Sequence, residues 1–365
     1  MVRLYGRPAP GRIAATVGFH SAWVASGRPR WTNHQYLVIP LVESVPGLRD
    51  DAAVNSDLTL GVAVNDELLA AAPAARRAIL DHLADAGLDH LTVGDHISFH
   101  GGTGFDGIVA ATTALASHDT LKVLIGVYLA GLRHPMATAR SLATLTQVAP
   151  GRLILGVGVA GEDRAEVSNM GVDPATRGRR MDETLGLLRR LATGEAVDHR
   201  GRFFQLENAR ILPALEPRVP ILIGGAGEVA VRRTAADGDG WLGMWCSARR
   251  YAATHQQILA ACSAAGRPAP TFAGLNVWVG FGRDAATARA ALGERMSHLY
   301  NLPAEKFAHI SAAGTPRDVA GFLTPYVQAG ARTLTLIPVA DTVHAAIEQA
   351  AEVRDLLRGQ AVEAP

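Results

Sequence analysis

The chain has 365 residues, of which 48% are hydrophobic and 19% are charged, and its formal net charge is +1. This composition is typical of a globular protein with a large core, and so small a net charge argues against a nucleic-acid-binding surface. The two cysteines are too few for a disulfide framework. No apolar run approaches the roughly 20 residues that span a bilayer. We therefore expect a cytoplasmic protein that binds neither nucleic acid nor membrane.

The first part of the chain differs from the rest. Residues 1–57 are rich in Arg, Pro and Gly and show no sustained helical or strand period. Residues 13–25 are mildly apolar behind three arginines, as in a signal peptide, but polar residues interrupt the apolar centre. We expect an irregular or disordered extension, or a translation start near Val54 or Asp57. Residues 359–365 are expected to form a loose C-terminal tail.

Between residues 58 and 358, short apolar runs alternate with stretches of helical period. The runs predicted to be buried strands are 58–64, 91–95, 121–130, 152–159, 219–225, 239–245, 275–282 and 333–339. The stretches predicted to be helices are 74–86, 106–117, a helix from Pro135, 177–192, 227–238, 248–265, 283–296, 318–329 and 343–357. Two excursions interrupt the rhythm, a small hairpin over 197–212 and an irregular, partly helical insertion over 297–315.

This alternation predicts the fold class. Strands that alternate with helices favour a parallel sheet, and eight such units in about 300 residues fit a closed barrel. An open doubly wound sheet is the alternative, and it predicts a glycine fingerprint after the first strand, where this chain has VNDELLAAAP. We therefore predict an α/β fold, a (β/α)8 TIM barrel with insertions over residues 58–358.

The carboxyl ends of the barrel strands are expected to converge on one pocket. Its lining is apolar and aromatic, and it lacks metal-binding spacings such as HExxH or CxxC, a strand-end lysine and a nucleophile elbow. Such a lining suits a flat heteroaromatic cofactor that performs the chemistry itself. The strand-end residues predicted to face it are Asn65, Asp95, His96, Tyr128, Leu129, Gly158, Val159, Gly224, Gly225, Met244, Trp245, Phe281 and Ile337.

The motif LTVGDHISF carries the first candidate for chemistry. His96 is a general acid or base that works near neutral pH. Asp95 either orients His96 or faces the core, because adjacent residues of a strand point to opposite sides. Phe99 and Trp245 are candidates for the aromatic wall of a substrate pocket, and packing in the core is the alternative for both.

Two glycine-rich stretches follow later strands. In LIGGAGEVAVRRTA, Gly224, Gly225 and Gly227 come directly before a helix, where backbone N–H groups can hold a phosphate. In GVGVAGEDRAE, the glycines let a ligand approach the backbone, and Glu162 follows as a carboxylate on a mobile loop. The alternative for the first stretch is that its glycines serve only packing. The alternative for the second stretch is a surface loop. In LIGVYLAGLRHP, Tyr128 offers an aromatic face at the strand end.

Several stretches resemble the luciferase-like monooxygenase family. They are GLDHLTVGDHISF, LRHPMATARSLATLTQVAPGRLILGVGVAGEDRAE, RGRRMDETLGLLRRL, GRFFQLENA, VPILIGGAG and AADGDGWL, which together cover most of the chain from Leu58 to Leu357. The resemblance implies a (β/α)8 barrel that uses FMN or the deazaflavin coenzyme F420.

The resemblance also implies residue roles. His96 is expected to act as acid or base during hydride transfer, assisted by Glu162. The pair Tyr128-Leu129 is expected to form a bulge, often with a non-proline cis peptide, behind the cofactor ring. The segment Gly224–Gly227, which includes Ala226, corresponds to the family's cofactor-phosphate site.

Within this family resemblance, the Asp-His pair and the layout of the two glycine stretches favour coenzyme F420 and hydride transfer to or from a small organic substrate. The alternative is an FMN-dependent monooxygenase that uses reduced FMN and oxygen and is served by a separate flavin reductase. A homodimer is expected from the resemblance, and the insertion 297–315 is expected to cover the substrate. Two further alternatives are a non-redox barrel lyase or isomerase, and a cofactor-binding protein without turnover.

Overall fold

In the computed structural model, residues 58–161 and 163–362 are described, and all structural statements below refer to them. The expectations for residues 1–57, for Glu162 and for residues 363–365 of the predicted tail 359–365 lie outside these ranges, whereas residues 359–362 continue the last helix, Val343–Val362. The strands are β1 Thr59–Ala63, β2 His90–Val93, β3 Lys122–Tyr128, β4 Leu153–Val157, β5 Val197–Arg200, β6 Gln205–Ala209, β7 Ile221–Gly224, β8 Gly240–Gly243, β9 Phe272–Phe281, β10 Ala312–Gly314 and β11 Thr333–Val339.

Helices follow the barrel strands, and all but α1 and α5 are predicted by the sequence. They are α1 Asn65–Ala70, α2 Pro73–Asp85, α3 Gly107–Ser117, α4 Pro135–Val148, α5 Arg164–Asn169, α6 Arg177–Leu191, α7 Glu228–Asp237, α8 Ala248–Ala264, α9 Ala285–Tyr300, α10 Pro316–Gln328 and α11 Val343–Val362. No helix in the described ranges is both long and apolar enough to cross a membrane.

The sheet closes into a barrel. Eight parallel strands pair in the order β9-β11-β1-β2-β3-β4-β7-β8, and β8 pairs again with β9. This confirms the predicted (β/α)8 barrel. The short strand β10 pairs with the carboxyl end of β9, from Val279 to Phe281, and β5 and β6 form a separate antiparallel hairpin.

Alternate residues of each strand serve two different layers. One set, which includes Leu91 and Val93 of β2, packs against the surrounding helices. The other set fills the barrel interior, with a small apolar cluster of Leu124, Ile154, Leu222 and Leu242. The interior also holds a polar chain, in which His90 Nε2 lies 3.0 Å from Thr335 Oγ1 and Thr92 Oγ1 lies 2.8 Å from the same atom.

Two short helices are not predicted by the sequence pattern. Helix α1 follows β1 directly, with two acidic residues in its first turn and Leu68 buried. Helix α5 starts after Asp163, whose side chain accepts hydrogen bonds from the backbone N–H groups of Ala165 and Glu166. Helix α9 also extends into the insertion 297–315, as far as Tyr300.

Candidate active site

His96 lies just beyond β2, and a buried glutamate holds its ring. The imidazole Nδ1 is 3.2 Å from Glu166 Oε2, and a carboxylate can only accept, so Nδ1–H donates this bond. Glu166 Oε1 accepts the backbone N–H groups of Ile97 at 2.6 Å and Ser98 at 3.1 Å. The glutamate side chain is only 1% exposed, whereas that of His96 is 35% exposed. The ring therefore has a fixed orientation and an accessible edge.

The local sequence explains why the Glu166 side chain is buried beside His96. Asp163 caps α5, and Glu166 follows one turn later on its buried side. Asp163 Oδ2 also accepts the backbone N–H of His100 at 2.9 Å, which ties the loop after β2 to the loop after β4. This bond, with those from the start of α5, lowers the pKa of the Asp163 carboxyl. Two loops are thus joined around His96.

Asp95 faces away from the barrel interior. Its carboxylate accepts the backbone N–H of Gly107 at 2.8 Å and of Leu129 at 2.8 Å. Arg133 donates to both oxygens, at 2.7 and 2.8 Å, and also to Asp106 at 2.9 Å. The Asp95 side chain has no exposed surface. Both carboxylate oxygens are therefore bonded to the surrounding loops and not to His96, as the second of the two alternatives for Asp95 expects.

The end of β3 departs from the predicted geometry. The non-prolyl cis peptide bond joins Gly126 and Val127, and the register with β4 shifts between Ile125 and Tyr128. Tyr128 is buried in the layer between strands and helices, under the Arg133 guanidinium at 4.4 Å from the ring centroid. The expectation that Tyr128-Leu129 backs the cofactor is therefore corrected: Leu129 is also buried, and Val127 faces the interior between Gly158 and Gly224.

The glycine bend after β7 has the shape expected of an anion site. Gly225 and Gly227 have positive φ, +105° and +78°, which favours glycine at both positions. A Cβ at either glycine would meet no atom within 4 Å. Ala226 is exposed, and Gly227 caps α7, whose first N–H groups have no partner inside the helix. Trp241 Nε1 donates to the Gly225 carbonyl at 2.8 Å and fixes the bend.

The remaining predicted cofactor residues lie at the same rim. The Asn65 side-chain amide, in the orientation that satisfies its neighbours, donates to the Thr92 carbonyl and accepts from Gly94 N–H. Gly158 is buried, and a Cβ there would overlap the Val127 side chain, whereas Val159 is half-buried.

The two candidate aromatic wall residues lie on the His96 side of the barrel. The Phe99 ring is buried and stacks on the His96 ring with centroids 4.1 Å apart. Trp245 is half-buried after β8 and has a positive φ of 57°. The imidazole and the glycine bend also share one rim, because β2 and β7 run parallel in one barrel and both features follow the carboxyl ends of their strands.

Glu166 is a site residue that the sequence reasoning missed. The pattern Asp163-x-x-Glu166 is a helix-start signal, since a capping residue is followed three positions later by glutamate. The site contains no group of three or more His, Cys, Asp or Glu side chains that could hold a metal ion, as far as the described residues go.

The sequence is similar to those of curated F420-dependent enzymes. The F420-dependent glucose-6-phosphate dehydrogenase of Rhodococcus hoagii is 32% identical over 164 residues, which are 43% of this chain and 48% of the relative. This chain thus spans about half the length of that curated relative.

Solved structures share the fold at low sequence identity. An F420-dependent secondary alcohol dehydrogenase in complex with an F420-acetone adduct superposes with a TM-score of 0.72 at 19% identity, covering 83% of this chain and 99% of that one. A monooxygenase from Streptomyces bottropensis gives a TM-score of 0.68 at 20% identity, covering 83% and 98%. A sequence model described as luciferase-like monooxygenase matches residues 58–357. The chain therefore belongs to the luciferase-like monooxygenase family.

Proposed function

We propose that this protein is an oxidoreductase that uses coenzyme F420 for hydride transfer to or from a small organic substrate. The observation that carries the proposal is that His96, held by Glu166, and the glycine bend at Gly224–Gly227 lie on one rim of the barrel. A single elongated cofactor can therefore place its anionic part at the bend and its ring beside the imidazole.

The residues present fit such a cofactor. The open N–H groups at the start of α7 would hold its phosphate, and the Gly126–Val127 peptide would lie behind its ring. Asn276 donates from Nδ2 to the Gly126 carbonyl at 3.4 Å, and its buried Oδ1 has no partner among the described residues. That acceptor suits a ring N–H. When bound, F420 supplies a two-electron hydride acceptor or donor.

The protein's own contribution is proton transfer. Because Nδ1–H donates to Glu166, Nε2 of His96 carries the lone pair, and no described residue hydrogen-bonds to it. Nε2 would accept the hydroxyl proton of an alcohol substrate, or return it to a carbonyl in the reverse direction. The Glu166 carboxylate would stabilise the imidazolium that forms, without touching the substrate.

The cofactor assignment draws on relatives. Similar sequences include F420-dependent glucose-6-phosphate dehydrogenases, and a structural neighbour is an F420-dependent alcohol dehydrogenase. An FMN-dependent monooxygenase is the second candidate, since a monooxygenase has nearly the same fold and FMN also carries a phosphate for the glycine bend. That candidate requires a separate flavin reductase. A homodimer remains a prediction.

The first test is titration of the purified protein with F420 and with FMN, followed by fluorescence quenching. We expect F420 to bind at lower concentration than FMN. Tighter binding of FMN would favour the second candidate instead, and binding of neither would contradict both.

The second test uses substitutions at the imidazole and its partner. His96→Ala should lower turnover roughly 10²–10⁴-fold with little change in the Kd of F420. Glu166→Gln should cause a smaller loss, again without a change in Kd. His344→Ala, an exposed histidine on α11, is the matched control. A parallel loss of F420 binding and turnover in His96→Ala would show that His96 is structural.

A further inference from the structure

An aromatic cluster extends from His96 to the insertion between α9 and α10. We define the aromatic cluster as Phe99, Trp245, Trp278, Tyr300 and Phe307. Its members come from the loop after β2, the end of β8, strand β9, the last residue of α9 and the segment that follows it. These five residues, distant in sequence, therefore meet at the carboxyl rim of the barrel.

Tyr300 is the centre of the aromatic cluster. Its ring centroid lies 4.8 Å from Trp245, 5.8 Å from Phe307, 6.0 Å from Trp278 and 6.4 Å from Phe99. Its hydroxyl accepts a hydrogen bond from Trp278 Nε1 at 3.1 Å. Through Phe99, which stacks on the His96 ring, Tyr300 is connected to the proposed site of proton transfer.

The cluster presents a neutral surface. Phe99, Trp278 and Phe307 are buried, whereas Trp245 and Tyr300 are half-buried and keep an accessible face. The half-buried residues packed with them are also apolar: Met244, Leu299, Ile310, Ala313, Ile337 and Val339. None of these side chains carries a formal charge.

Arg133, a cation that follows β3, is already engaged by carboxylates. Arg133 is bonded to both oxygens of Asp95 and to Asp106, on the helix side of the strands. A phosphorylated substrate laid against the aromatic cluster would therefore lose its hydration without gaining a counter-charge from the cluster, which is costly. An uncharged molecule carries no such penalty and gains from burial against aromatic rings.

We propose that the site selects a neutral, largely apolar alcohol or carbonyl compound, such as an aryl-substituted secondary alcohol or its ketone, and that Tyr300 is a specificity-determining residue. The redox step rests on the proposed function, whereas the binding preference does not. On oxidation, Nε2 of His96 would take the hydroxyl proton, and the carbon-bound hydrogen would leave with its electron pair to oxidised F420, which would supply the hydride acceptor. A C=O bond forms as the O–H and C–H bonds break.

The test begins with binding in the absence of cofactor, with acetophenone as the probe and intrinsic fluorescence as the readout. Acetophenone should quench the full-length protein saturably, and glucose 6-phosphate should not displace it. Tyr300→Ala should raise the Kd of acetophenone about tenfold. Tyr300→Phe, which keeps the ring, should stay within about twofold of the wild type. Phe322→Ala, at a half-buried ring on α10 outside the cluster, is the matched control.

Turnover is measured next, as F420 reduction by 1-phenylethanol and by glucose 6-phosphate. We expect 1-phenylethanol to have the higher kcat/KM, and Tyr300→Ala to raise its KM without changing the Kd of F420. Non-saturable quenching, equal weakening in Phe322→Ala, or a preference for glucose 6-phosphate would overturn the proposal. If acetophenone binds as expected but F420 does not, the proposed function fails and the neutral pocket stands. If F420 binds but acetophenone does not, only the proposed substrate class is overturned.

Discussion

Removal of the Asp95 carboxylate is expected to cost far more stability than removal of an exposed aspartate in a similar ion pair. Asp95→Ala leaves Arg133 with Asp106 alone and deprives the backbone N–H groups of Gly107 and Leu129 of their acceptor. Loss of one partner of a buried ion pair costs about 3–5 kcal/mol, and each buried donor left without an acceptor about 1–3 kcal/mol. These terms overlap, so we expect the free energy of unfolding to fall by about 4 kcal/mol.

The assay is urea denaturation followed by circular dichroism, with Asp66→Ala as the matched control. Asp66 pairs with Arg295 at 2.6 Å, but the two side chains are 61% and 44% exposed. Such a pair contributes only about 0–1 kcal/mol. If Asp95→Ala is too unstable to purify, Asp95→Asn is measured in its place. It keeps the shape and one acceptor, so its loss in the free energy of unfolding should lie between those expected for Asp95→Ala and Asp66→Ala. Equal losses in Asp95→Ala and Asp66→Ala would refute the assignment of Asp95 as a buried anchor.

Two further predictions concern the barrel interior. Burial lowers the pKa of His90 from 6.5 to about 4, so on acidification the unfolded chain takes up a proton before the folded chain does. The free energy of unfolding should therefore fall by about 2 kcal/mol between pH 7 and pH 5, and His90→Gln should lack this part of the pH dependence in urea titrations. Gly158→Ala would push Val127 out of place and should weaken F420 binding about tenfold by fluorescence quenching. Gly161→Ala, which meets no atom within 4 Å, should leave F420 binding unchanged.

The barrel could be predicted because its signal is repeated. Each of its eight strands is an apolar run followed by a helical pattern. Errors of up to three residues in the predicted strand boundaries therefore do not change the topology. The glycine bend could also be located, because Gly225 and Gly227 adopt backbone angles that other residues rarely take. These features depend on local sequence alone.

The orientation of Tyr128 could not be read from the sequence. Leu124 and Gly126 both face the barrel interior, so an alternation of two would place Tyr128 there as well. The shift in register between Ile125 and Tyr128 breaks that alternation and turns the tyrosine outward. The partner of His96 was missed for a different reason: Glu166 is 70 residues away in the chain, and only the closed barrel brings the two together.

The adjacent residues Asp95 and His96 connect three loops of the site because their side chains point in opposite directions. Asp95 holds the first N–H of α3 and the backbone after β3, while His96 and its two following residues are held by Glu166 from α5. The buried carboxylates of Asp95 and Glu166 therefore fix the position of the His96 imidazole relative to the Gly126–Val127 peptide, which would lie behind the cofactor ring. Neither carboxylate needs to touch a substrate for this purpose. The arrangement fixes the imidazole before ligands bind, so less ordering is required when cofactor and substrate arrive.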